Sequence, residues 1–257
     1  MEQPVVTLRD VCLTYHSPET ETVAIDRLNL EVQQGELLGI VGPSGCGKTT
    51  ILSLISGILT PTGGEILVCG KDAQQARMLT GYMLQKDELF EWRTIRDNIL
   101  LGLQIRRNRN AQTERYADEL LAKYGLAEFA KFYPSQLSGG MRQRAALIRT
   151  LVLSPQILLL DEPFSALDFQ TRLAAVEAVH RIIRAENKTA VFVTHDISEA
   201  ISMCDRVVVL SPRPSTVREI VPIDTLADIT PLARREAPDF GAYFDKIWKL
   251  LEHPTEK

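Results

Sequence analysis

Gly42-Pro43-Ser44-Gly45-Cys46-Gly47-Lys48-Thr49 fits the pattern G-x-x-x-x-G-K-[ST], and no other stretch constrains the fold as strongly. The short run Leu37-Leu38-Gly39-Ile40-Val41 leads straight into it, and Ile51, Leu52, Leu54 and Ile55 follow with helical spacing. Strand, glycine loop and helix is the order that lets backbone N–H groups converge on phosphate oxygens. The glycines allow close wrapping, and the helix adds the positive end of its dipole. Lys48 would bring a point charge to the phosphates, and the Thr49 hydroxyl a ligand for Mg2+. With glycine near 7% of residues, a chance match in a chain this long has a probability of about 0.01. The stretch is therefore read as a nucleotide phosphate site in an α/β fold with a mostly parallel sheet.

The rest of the chain is consistent with that frame. Two β-like segments, roughly Val5–Tyr15 and Val23–Val32, flank a turn-rich stretch from His16 to Thr22. Further strands are expected at Glu65–Cys69, Gly81–Gln85, Ile157–Asp161, Ala190–Thr194 and Arg206–Leu210. The nearly all-apolar ones suit a parallel sheet buried on both faces. From Thr94 to Leu153 the pattern is helical and charged, which reads as an insertion between two strands. Its basic run Arg106-Arg107-Asn108-Arg109 reads as a solvated helix end. After about Val217 come a strand-like piece and a helix whose Phe240, Phe244, Ile247 and Leu251 form one stripe, expected to pack on the body.

Two further motifs carry chemistry. Ile157-Leu158-Leu159-Leu160-Asp161-Glu162 is a buried-type strand ending in two acids. At the carboxyl end of a parallel strand, Asp161 would face the phosphate loop and hold Mg2+, while Glu162 could orient or deprotonate an attacking water. In Leu137-Ser138-Gly139-Gly140-Met141-Arg142-Gln143-Arg144, Ser138 is a good N-cap and the glycines allow close approach, which makes a second helix start suited to an anion.

Taken in order, these motifs resemble the ABC ATPase family over residues 5 to 215. Leu137–Arg144 is similar to its signature motif, Gly42–Thr49 to its Walker A loop and Ile157–Glu162 to its Walker B strand. Ser165-Ala166-Leu167-Asp168 resembles the D-loop, Gln85 the Q-loop glutamine, His195 the switch histidine, and Tyr15 the early aromatic that stacks on adenine. The resemblance implies a P-loop NTPase core with an N-terminal antiparallel β subdomain and an inserted helical subdomain at about 86–155. Together these make a domain of residues 1–222, followed by a short helical extension over 223–257. ATP and Mg2+ are the implied cofactors. Glu162, His195 and Gln85 are the implied catalytic residues, and Thr49, Gln85 and Asp161 the metal-binding ones. Nucleotide contacts are implied for Tyr15, Gly42, Pro43, Ser44, Gly45, Cys46, Gly47, Lys48, Thr49 and Thr50. Ser138, Gly139, Gly140 and Asp168 would serve the nucleotide of a paired ATPase subunit, identical or not, so that ATP joins two such subunits.

Composition narrows the class. The 257 residues carry a formal net charge of −4, which argues against nucleic acid as a partner, and no apolar run is long enough to span a bilayer. The start, Met1-Glu2-Gln3-Pro4, is not a secretory signal. Cys12, Cys46, Cys69 and Cys204 are scattered, so reduced and mostly buried thiols are expected rather than disulfides or zinc. A single nucleotide-binding domain resembles importers with separate permease chains, served indirectly by a solute-binding protein and docked on the cytoplasmic face of the cell membrane. The stretch from Leu84 to Ile99 resembles the nitrate/sulfonate/taurine branch, with Glu91 in place of the usual proline before Trp92. Relatives carrying pyrimidine precursors look similar. Phe90 and Trp92 are candidates for the groove that receives a permease helix, or else for core packing. An exporter ATPase and a soluble ABC protein without transport are the alternatives.

Overall fold

The computed structural model describes residues 3–17, 20–227 and 229–252. Met1 and Glu2, Pro18 and Glu19 of the expected turn, Asp228 and residues 253–257 lie outside the described residues. The strands are β1 (Val6–His16), β2 (Glu21–Val32), β3 (Leu37–Val41), β4 (Gly63–Val68), β5 (Lys71–Asp72), β6 (Thr80–Met83), β7 (Ile157–Asp161), β8 (Thr189–Val193), β9 (Arg206–Leu210) and β10 (Val217–Pro222). The helices are α1 (Lys48–Ile55), α2 (Ile95–Ile105), α3 (Ala111–Lys123), α4 (Gly139–Leu151), α5 (Phe169–Ala185), α6 (Ile197–Met203), α7 (Pro231–Glu236) and α8 (Phe240–Glu252).

An antiparallel sheet runs β2-β1-β4-β5, and a mostly parallel one runs β10-β9-β3-β8-β7-β6 with β10 as its antiparallel edge. The strands β3, β7 and β8 are buried throughout, and the period-2 alternation of their side chains explains how. Leu38, Ile40, Ile157, Leu159, Val191 and Val193 face α1 and the antiparallel sheet. Leu37, Val41, Leu158, Leu160, Ala190 and Phe192 face α2 to α6. A strand with apolar residues on both faces can sit only between two layers.

Small differences from the sequence reading have local causes. The fourth strand ends at Val68 because Cys69 (φ 51°) and Gly70 (φ 74°) form a left-handed two-residue turn into β5. Thr94, Asn110, Ser138, Asp168, Asp196 and Thr230 cap the starts of α2 to α7 through their side chains. Cys46 and Cys204 are buried, whereas Cys12 and Cys69 stay partly exposed, so burial of the thiols holds for only two of the four. Core packing of Phe90 and Trp92 is overturned. Trp92 is 73% exposed, its ring 4.8 Å from that of the half-exposed Phe90. The apolar stripe of α8 packs on the body through buried Ile247, with Trp248 left outside. No helix among the described residues is long and apolar enough to cross a membrane.

Candidate nucleotide site

The parallel strand β3 delivers the chain into the phosphate loop. At Gly42 an added Cβ would lie 2.7 Å from the Cys46 Sγ and 3.1 Å from the Leu210 Cβ, so only glycine lets the loop close against the end of β9. Gly45 (φ 72°) and Gly47 (φ 110°) are left-handed. The Cys46 side chain is buried and its N–H donates to Pro43 O at 3.2 Å, so Cys46 shapes the loop from inside. Among the described residues, the N–H groups of Gly45, Gly47, Lys48, Thr49 and Thr50 find no acceptor. Lys48 is 7% exposed, and its Nζ donates to Gly42 O (2.9 Å) and Pro43 O (3.1 Å). A cavity of about 230 Å3 opens here, lined by Ser44, Gly45, Gly47, Lys48, Thr49, Thr50, Glu162 and Arg213. Tyr15, half exposed at the end of β1, hydrogen-bonds through its hydroxyl to Thr50 Oγ1 (3.2 Å), which places its ring beside the loop.

Asp161 ends β7 below that loop. Its Oδ1 accepts from Thr49 Oγ1 (3.1 Å) and its Oδ2 from the Tyr82 hydroxyl (3.2 Å). Burial pushes the Asp161 carboxyl above the usual range, partly countered by those two hydrogen bonds, while neighbouring Glu162 pushes the same way as burial. The Tyr82 phenol is raised by burial and by Asp161. Two hard oxygens, from Thr49 and Asp161, in a site that disfavours negative charge make a set that fits Mg2+.

One residue on, Glu162 is held at φ 43° while its N–H donates to Val193 O (2.9 Å). A left-handed non-glycine residue costs about 1–3 kcal/mol, and such strain clusters at functional sites. The turn aims its carboxylate at two partners. His195 Nδ1 lies 2.8 Å from Glu162 Oε2, and Gln85 Nε2 lies 3.5 Å from the same oxygen and 3.3 Å from Ser165 Oγ. Gln85 sits just past β6 and does not touch Thr49 or Asp161, so two of the three expected metal-binding residues are joined. His195 follows β8 and is steadied by its neighbours. Thr194 Oγ1 donates to buried Glu199 (2.7 Å) and accepts from Asp196 N–H (3.0 Å).

Ser138, Gly139, Gly140 and Asp168 do not line the cavity. They form a second assembly. An added Cβ on Gly139 would lie 2.6 Å from Leu167 Cδ2, and one on Gly140 would lie 3.4 Å from Thr171 Cγ2. The tip of α4 thus packs on the segment that enters α5, where Asp168 accepts from Thr171 N–H (3.1 Å). Sequence reasoning missed Tyr82 and Arg213, and named Ser165 only as part of the D-loop resemblance. Tyr82 is found by register, since β6 pairs with β7 one strand over. Arg213 lies 168 residues from its loop partner, with no motif to announce it.

A family profile described as ABC transporter matches residues 25–165. The chain is 46% identical over 239 residues to an uncharacterized ABC transporter ATP-binding protein, YtlC, of Bacillus subtilis (strain 168), covering 93% of this chain and 92% of that one. It is 41% identical over 201 residues to the taurine import ATP-binding protein TauB of Escherichia coli O6:K15:H31 (strain 536 / UPEC), covering 78% and 79%. Among solved structures it resembles the dimeric post-hydrolysis state of the ATP-binding cassette MJ0796 bound to ADP and Pi. The TM-score is 0.72 at 30% identity, over 85% of this chain and 98% of that one. The α/β fold, the phosphate loop with its acid pair and these likenesses together place the chain in the ABC transporter family, as an ATPase subunit.

Proposed function

We propose that this chain is the ATP-hydrolysing subunit of an importer for a small organic anion or nutrient, of the taurine, sulfonate or nitrate kind or resembling a pyrimidine precursor. It works from the cytoplasmic face of the membrane with separate permease subunits and a paired ATPase subunit. The likeness to TauB supports the importer reading. Exposed Trp92 and Phe90, directly after the Gln85 segment, offer an apolar spot for a permease helix.

The observation that carries the hydrolytic reading is the convergence of His195 and Gln85 on Glu162, next to the Thr49–Asp161 pair. The free N–H groups of Gly45, Gly47, Lys48, Thr49 and Thr50 and the Lys48 ammonium would bind the phosphates, and Tyr15 would stack on the base. Mg2+, held by Thr49 and Asp161, would neutralise charge on the phosphate oxygens. Glu162 would take the proton of the attacking water, with His195 and Gln85 fixing the direction of its carboxylate. The tip of α4 would close on the nucleotide of the partner subunit.

The test is reconstitution. The subunit, its permease and the cognate solute receptor in proteoliposomes should take up labelled taurine, an alkanesulfonate or nitrate in step with ATP hydrolysis. Hydrolysis without uptake of any small anion or nutrient sinks the importer reading and leaves the ATPase intact.

A further inference from the structure

We infer that Arg213 is a nucleotide-binding residue, its guanidinium forming a second cationic grip on the phosphate chain; this rests on the phosphate loop being the ATP site. The loop from Ser211 to Thr216 joins β9 to β10. Because β9 lies parallel to β3, with Val209 opposite Val41, it leaves the sheet at the same end as the phosphate loop. The two loops are bolted together. Fully buried Ser215 donates its hydroxyl to Cys46 O, its N–H donates to Ala24 O (2.9 Å), and its carbonyl accepts from Asp26 N–H (3.1 Å). Ser215 is thereby wedged between the phosphate loop and β2. Two residues earlier, Arg213 Nη2 donates to Gly45 O at 2.8 Å.

That contact fixes the guanidinium on the wall of the cavity that Lys48, Thr49 and Thr50 also line. Lys48 and Arg213 are the cations among the lining residues, and they differ in kind. Lys48 is buried and folded onto the loop's own carbonyls, whereas Arg213 is exposed and has spent one donor on Gly45 O. A guanidinium is a planar fork of five N–H donors that matches phosphate geometry. With one arm tied to Gly45 O, the remaining donors are oriented before a nucleotide arrives, which lowers the ordering cost of the contact.

The test is equilibrium titration of wild type, Arg213→Ala and Arg213→Lys with ADP at low and high ionic strength, alongside thermal unfolding. Arg213→Ala should weaken ADP binding by about 5- to 20-fold at low salt, the range of an exposed charge-assisted contact. The gap should narrow at about 1 M salt, and Arg213→Lys should recover part of the loss. Unchanged ADP affinity in the alanine variant overturns the proposal. So does a loss that ignores salt and persists in Arg213→Lys, since that reports a collapsed loop. A folded wild type that ignores ADP takes down the nucleotide reading itself, an outcome seen before any variant is measured.

Discussion

Two helix tips in this molecule suit anions, and they are built differently. The start of α1 is capped by left-handed Gly47 with no side-chain hydrogen bond, and its first N–H groups find no acceptor among the described residues. The start of α4 is capped by Ser138, whose hydroxyl accepts from Met141 N–H. The α1 start leaves its first N–H groups wholly to a ligand, whereas at α4 the Ser138 cap takes up the Met141 N–H and leaves those of Gly139 and Gly140 without an acceptor among the described residues. Their anchorage differs as well. The loop leading into α1 closes on the end of β9 at Gly42 and Leu210, and Gly47 at the tip lies against Ser215 and the Ala24–Ile25 part of β2. Polar contacts brace α4, as Arg142 donates to Asp87 Oδ2 (2.8 Å) and Arg149 to the Asp87 and Glu88 carbonyls (2.6 and 2.5 Å). Those acceptors lie two and three residues after Gln85. The first tip is open along its whole first turn, and the second is partly capped and held by polar braces.

The largest expected effect keeps this division while stopping chemistry. Glu162→Gln should lower kcat by about 10²- to 10⁴-fold, the usual worth of a general base, and leave ADP affinity within about threefold. Steady-state hydrolysis and titration on one preparation check it. Ser138→Arg should next abolish ATP-driven dimers in sedimentation while monomer affinity for ADP stays put. A matching loss of ADP affinity would break the comparison, because the α4 tip would then serve its own subunit's nucleotide.

Asp161→Asn isolates the α1 side. Burial raises the Asp161 pKa, so the folded protein holds this proton more tightly than the unfolded chain. This group's contribution to stability is therefore best below the unfolded value, about 3.9, and falls as pH rises through the raised folded value. The variant should melt above wild type near pH 7, as thermal unfolding would show. The gap should shrink on acidification and vanish once wild-type Asp161 is protonated. Mg2+ should no longer strengthen nucleotide binding in it. The smallest effect tests the brace. Asp87→Asn keeps an acceptor for Leu89 N–H but removes the charge facing Arg142, and a partly exposed pair is worth about 0.5 kcal/mol. Hydrogen exchange should quicken in 139–151 and not in 37–56; equal quickening would erase the contrast in anchorage.

Much of the site was legible because its parts are local in sequence. The loop from Gly42 to Thr49, the Asp161–Glu162 end of β7 and the Ser138 cap each lie within a few residues of the strand or helix that positions them. Only register and tertiary packing bring Tyr82 under Asp161 and Arg213 onto Gly45, and no short spacing encodes either. The fold was legible where apolar runs mark buried strands, as in β3, β7 and β8. It was less so where a conformation overrides a pattern, as when left-handed Cys69 and Gly70 end β4. Trp92 left two readings open for a plainer reason: a large apolar side chain suggests a contact without saying where, and the structure removes only the core one.

Arg234, fully enclosed in the C-terminal segment, gives that segment a weight its short length hides. Its Nη1 donates to Ile201 O (3.1 Å) and Cys204 O (2.7 Å), satisfying carbonyls at the end of α6, the helix that begins two residues after His195. Cutting the chain before Thr230 would strand those oxygens in a dry interior and uncover the apolar floor beneath Ile247. Damage at the tail would then surface far away, as a loosened histidine beside Glu162.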